Sequence, residues 1–131
     1  MNIPPLQIYQ AKKRISPYVT RTPLVREHAL SDRCEAEIWC KLETMQPTGA
    51  FKLRGATNAI LRLNEDQRNR GVVAVSTGNH GRGVAYAARE QDVRAVICLS
   101  SLVPENKVEA IKSLGADVRI VGNSQLSLIH I

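Results

Sequence analysis

The sequence predicts an α/β fold built on parallel strands, and three observations carry that reading. Short β-branched runs at 38–42, 71–76, 94–99 and 117–121 alternate with segments whose apolar residues recur at helical spacing. From Gly71 onward the order is strand, helix, strand, helix, strand. That order implies βαβ units with parallel strands and right-handed crossovers. The uninterrupted apolar runs are also short, such as Val72–Val75 and Ala95–Leu99. A membrane-spanning helix needs about 20 apolar residues, so these runs read as strands and no membrane helix is expected.

Each element has its own local signal. A first helix starts near Pro5 and ends before Ser16-Pro17, because proline disfavours helix in the residue preceding it. The run at 38–42 is the first strand. A helix over 51–63 turns Leu53, Ala56, Ile60 and Leu63 inward. The strand at 71–76 leads to a helix over 79–91, with Val84, Ala87, Ala88 and Gln91 on one face. The strand at 94–99 leads to a helix over 104–114. Pro104 suits its first turn, Val108, Ile111 and Leu114 lie three apart, and Gly115 stands at the C-terminal cap. The strand at 117–121 closes the series.

Composition narrows the function. The chain has 131 residues, 44% apolar and 23% charged, which is globular composition. Eighteen basic and 12 acidic residues give a net charge of +6. The charges are scattered and only five aromatic residues exist to stack bases, so nucleic-acid binding is not expected. Cys34, Cys40 and Cys98 are odd in number and form no C-x-x-C pair. Buried free thiols are therefore expected rather than a disulfide framework or a zinc knuckle. The N-terminus lacks the order of a signal peptide, which makes the cytoplasm the expected location. No grouping of His, Asp and Glu has metal-ligand spacing, so no catalytic metal is expected. His28 lies in a polar stretch, and His130 lies near the C-terminus.

Two segments can carry chemistry. Ser76-Thr77-Gly78-Asn79-His80-Gly81 falls at the carboxyl end of a strand and opens a helix. Ligands of open parallel sheets sit there, and free N–H groups at a helix start attract anions. A carboxylate or phosphate is a sensible guest; plain capping of the helix by Ser76, Thr77 and Asn79 explains the residues equally well. The second segment is Gln46-Pro47-Thr48-Gly49-Ala50-Phe51-Lys52-Leu53-Arg54-Gly55, a shaped turn entering a helix. The helix dipole and nearby Arg54 both disfavour charge on Lys52, which suits an amine nucleophile. A solvated surface lysine is the competing reading.

Together with Lys41-Leu42-Glu43, these two segments resemble the threonine/serine dehydratases, pyridoxal-phosphate enzymes of the tryptophan-synthase-β fold type. The resemblance runs from about Ile3 to Gln125 and includes Leu102-Val103-Pro104-Glu105-Asn106-Lys107 and the Gly115-Ala116 turn. Within the family, the chain resembles the dehydratase-like enzymes of hydroxyectoine use. The resemblance implies a cofactor, pyridoxal 5′-phosphate, bound to Lys52 as a Schiff base. It implies that Phe51 packs beside the ring and Asn79 hydrogen-bonds its 3′-oxygen. Ser76, Thr77, Asn79 and His80 would receive the substrate carboxylate, with Thr77 as a second acid/base. The implied reaction is β-elimination of water from threonine or serine, giving a 2-oxo acid and ammonia in the cytoplasm. A homo-oligomer acting on a small amino acid is implied, with no nucleic acid and no membrane as partner.

The resemblance also implies two α/β domains. Residues 1–68 would be the first part of a large cofactor domain, and 69–125 a small domain, both incomplete. Residues 126–131 do not look like the family. Its phosphate loop and ring-nitrogen partner would lie beyond residue 131. The expectation is a truncated N-terminal piece, inactive alone, with Leu53, Ile60 and Leu63 short of cover. Two other readings stand beside the dehydratase: an amino-acid racemase of the same fold, using the same lysine, and a non-catalytic anion-binding α/β module.

Overall fold

A computed structural model describes residues 2–76 and 78–124. Thr77, His130 and the 126–131 segment lie outside the described residues.

Helix α1 spans Pro5–Ile15, with proline in its first turn and Lys12, Lys13 and Arg14 complementing the dipole in its last. It lies on the surface, burying only Ile15. Arg14 Nη1 ties it to the rest by donating to Asn58 Oδ1 at 2.6 Å.

Strands β1 (Leu24–Arg26) and β2 (Trp39–Lys41) follow, separated by α2 (His28–Cys34). They pair antiparallel, with Val25 opposite Cys40. The strand expected at 38–42 is therefore present but belongs to a two-stranded antiparallel sheet, and the parallel arrangement is confined to the second sheet. The short α2 link returns the chain beside β1 in the opposite direction, and antiparallel pairing needs no long crossover. α2 is capped by the Glu27 carboxylate, which accepts from the Leu30 N–H, and ends at Glu35 with φ +50.

A 3₁₀ turn at Glu43–Met45 leads into the shaped turn and α3 (Lys52–Ile60). α4 (Glu65–Arg70) is entirely polar. A reciprocal cap fixes it: the Gln67 N–H donates to Asn64 Oδ1, and the Asn64 N–H donates to Gln67 Oε1.

The second sheet has the order β3 (Val72–Val75), β4 (Ala95–Leu99), β5 (Asp117–Ile120), all parallel. α5 (Asn79–Arg89) and α6 (Glu105–Lys112) are its crossovers. The expected order from Gly71 onward holds, and Gly115 follows α6 at φ +83. The core joins Val84, Ala87 and Ala88 of α5, Ala95, Ile97 and Leu99 of β4, and Val108 and Ile111 of α6.

α3 belongs to this same core. Ala56 and Ile60 lie within it, Leu63 packs against it, and Leu53 is 0% exposed. Leu53 and Ile60, expected to lack cover, are buried. Gly81, Gly83, Ala85, Ala87 and Ala88 give α5 a low profile that lets helices approach closely. Of the three free cysteines only Cys98 is buried; Cys34 is exposed because α2 is a short surface helix. Among the described residues no helix is long and apolar enough to cross a membrane.

Candidate active site

The turn that delivers Lys52 is held by a buried polar network. Gln46 is 4% exposed. Its Nε2 donates to the Thr20 carbonyl at 2.8 Å, and its Oε1 accepts from the Thr20 N–H at 3.1 Å. Glu43 is the hub. Arg54 grips its carboxylate with two bonds, Nε at 2.9 Å and Nη2 at 2.7 Å. Thr22 Oγ1 donates to it at 2.6 Å and Gln46 Nε2 at 3.2 Å. Arg54 Nη2 also reaches the Thr20 carbonyl at 3.1 Å, and Lys41 Nζ donates to the Thr22 carbonyl.

Such a donor set favours the charged carboxylate. The Arg54 hydrogen bonds, chiefly, hold the Glu43 carboxyl down at about 2, against the upward push of desolvation. Thr22, the charge of Arg54 and Gln46 add to the lowering. The Glu43 hydrogen bonds push the Arg54 guanidinium still higher than its ordinary value. Arg54, expected to press on Lys52, has its guanidinium committed to Glu43 instead.

Lys52 itself is exposed and opens α3. Its Nζ lies 5.3 Å from the centroid of the Phe51 ring, which is 60% exposed. Such a contact orients an ammonium weakly, by about 0.5–1 kcal/mol.

In the 76–81 loop the capping reading holds for Ser76 and not for Asn79. Ser76 is buried, and its Oγ accepts from the Gly81 N–H at 2.8 Å and the Gly78 N–H at 3.2 Å. Ser76 thus caps α5 from two positions before its N-cap residue, Gly78. Asn79 and His80 are exposed, and neither side chain hydrogen-bonds another described residue.

The two segments meet through Gly83. A Cβ on Gly83 would stand 3.3 Å from the backbone C and O of Lys52 and the N of Leu53. The missing side chain lets α5 rest on the lysine's own backbone. A cleft of about 620 Å³ opens there, lined by Phe51, Lys52, Gly55, Val73 and His80 among others. Lys52, Phe51 and His80 therefore share one cleft. Ser76 and Asn79 sit on the adjoining loop without lining it.

Glu43, Gln46, Thr20 and Thr22 carried no assigned role in the sequence reading, and Arg54 was expected only to act on the Lys52 charge. The only signal was the packing of two amide or charged residues, Gln46 and Arg54, around an otherwise small and apolar turn.

Known proteins are similar to this chain. A Sinorhizobium fredii protein with a provisional threonine dehydratase name is 56% identical over 118 residues, covering 90% of this chain and 36% of its own length. The L-threonine ammonia-lyase of Thermotoga maritima is 42% identical over 116 residues, covering 88% of this chain and 29% of its own. The chain thus spans about a third of the length of the curated relatives it matches. Maize serine racemase superposes with a TM-score of 0.88 at 36% identity, over 94% of this chain and 37% of that one. The family model described as pyridoxal-phosphate dependent enzyme matches residues 15–129. With the lysine turn, the capped loop and the α3–α5 contact all inside that span, the chain belongs to the family of pyridoxal-phosphate dependent enzymes.

Proposed function

We propose that the protein carrying this chain catalyses β-elimination from a hydroxy amino acid, threonine or serine, releasing water, ammonia and a 2-oxo acid. The observation that carries this reading is the exposed Lys52 amine on a cleft that it shares with Phe51 and His80, beside the start of α5. The names of the S. fredii and T. maritima relatives support the choice of reaction.

The residues fit pyridoxal phosphate. A primary amine, a flat ring beside it and a cleft of about 620 Å³ suit a small aromatic aldehyde. When bound, that group supplies an electron sink that makes the substrate α-proton acidic. Lys52 would hold it through the ε-amine and, once displaced by the substrate amine, take the α-proton. Phe51 would flank the ring, and the Asn79 amide would donate to the ring oxygen. Ser76, Asn79 and His80 would meet the substrate carboxylate, because helix starts favour anions. Thr77 would complete that loop as a hydroxyl acid/base. In this reading the division at residues 68 and 69 puts Lys52 and Asn79 on different domains, and the α3–α5 contact belongs to their boundary. The reading also makes the protein a cytoplasmic homo-oligomer acting on a small amino acid.

A racemase of the same fold is the second reading, supported by the likeness to maize serine racemase. A chain treated with pyridoxal phosphate and borohydride should carry the label on Lys52. Label on Lys41 or Lys107 instead would overturn the proposal. In the protein carrying this chain, 2-oxo acid release from L-threonine supports the lyase. Conversion of L-serine to D-serine without release of 2-oxo acid supports the racemase.

A further inference from the structure

We infer that Glu43 is the positioning residue for Lys52, holding the backbone on both sides of the lysine through Gln46 and Arg54 at once. The inference rests on the proposed role of Lys52. The turn begins at Gln46 and passes into α3 at Lys52, two residues before Arg54. Both ends return to the same two points. Gln46 bonds the Glu43 carboxylate and both backbone groups of Thr20. Arg54 bonds the same carboxylate twice and the same Thr20 carbonyl. Between the anchors, Thr48 Oγ1 is buried with no partner among the described residues, and a Cβ on Gly49 would meet nothing within 4 Å. Among the described residues the Lys52 ammonium makes no hydrogen bond or ion pair, and it lies over the Phe51 ring. The amine's location is therefore set by its backbone, and that backbone is bracketed by one carboxylate. Gly83 closes the bracket from the other side. Glu43 touches no reacting atom in this scheme and acts through Lys52.

The test is selective labelling of the full chain by pyridoxal phosphate and borohydride, read by peptide mapping as the ratio of Lys52 to Lys107. A small displacement of a reacting group can cost up to about a hundredfold in rate, and Glu43→Gln should lower the ratio by about tenfold. Arg54→Lys, which keeps charge but not the two-bond grip, should lower it less. Ile111→Val, a core change far from the turn in sequence, serves as the stability control and should leave the ratio unaltered. An unaltered ratio in both Glu43→Gln and Arg54→Lys would overturn the inference while leaving Lys52 in place. An equal fall in Ile111→Val at matched melting temperature would overturn it too, since lost stability alone would then suffice. No preference for Lys52 in the unsubstituted chain would sink the proposed function and this inference together.

Discussion

Acidification should strip stability from this fold through Glu43, and Glu43→Gln should abolish that part of the loss. The sign follows from the carboxyl's position at about 2 in the folded chain against an ordinary 4.5. A lowered carboxylate stabilises the fold fully above the unfolded value, and its contribution drains away as pH falls towards the folded one. The window is therefore pH 4.5 down to about 2. That fall corresponds to about 3 kcal/mol at roughly 1.36 kcal/mol per pH unit. The Glu43 and Arg54 side chains are 18% and 31% exposed. Solvent screening trims the figure to about 2 kcal/mol, still above an ordinary surface pair. The assay is urea unfolding of both chains, followed by circular dichroism at about pH 6, 4.5, 3.5 and 2.5. The stability gap between them should be widest at about pH 6 and should shrink by about 2 kcal/mol, mostly below 4.5. A gap that stays constant across the series would refute the reasoning, since the Glu43 charge would then contribute nothing to the fold.

Three further outcomes follow from the packing. Ser76→Ala should cost about 1–2 kcal/mol in urea unfolding, as it removes the cap on α5, whereas Asn79→Ala should stay within about 0.5 kcal/mol; equal losses would mean that Asn79 does cap. Gly81→Ala should destabilise by about 1 kcal/mol net, because overpacking of about 1–3 kcal/mol outweighs a helix-propensity gain of about 1. Its Cβ would stand 3.0 Å from Ile97 Cγ2 and 3.3 Å from Ile111 Cδ1, and a raised melting temperature would contradict this. Leu53→Ala should cost about 3–5 kcal/mol by chemical denaturation, as expected where a fully buried leucine leaves a cavity that cannot collapse; a loss under about 1 kcal/mol would show that α3 is not part of the core.

The second sheet was legible because β-branched runs and helical periodicity alternate from Gly71 onward, with Pro104 and Gly115 also marking the two ends of α6. Of the first sheet only β2 was legible, as the run at 38–42. β1 is three residues, all exposed, so no alternation of buried and exposed positions marks it. α2 has seven residues, a glutamate cap and a left-handed glutamate at its end, where the usual signals are Ser, Asp or Gly. α4 has no apolar face at all, and its one signal was the Asn64–Gln67 cap. At the site, the exposed chain positions were readable as chemistry-bearing types: Lys52, Asn79 and His80. Their support was not, because Glu43 on the 3₁₀ turn and Arg54 on α3 stand eleven positions apart, with the shaped turn between them, so no single helical spacing links them. The capping reading holds for Ser76, whose hydroxyl accepts from the Gly81 N–H in the first turn of α5, and not for Asn79, whose side chain caps nothing among the described residues.

The Ser76 cap also fixes what that side chain can offer a visitor. A serine hydroxyl has two lone pairs and one proton. The Gly78 and Gly81 N–H groups take up the lone pairs. What remains is the proton, so Ser76 can only give a hydrogen bond and has no capacity left to receive one. A group arriving at Ser76 must therefore be an acceptor to engage it, and a donor such as an ammonium would find no free lone pair on that hydroxyl. The polarity that Ser76 offers is thus set by the fold's own capping bonds, before any ligand approaches.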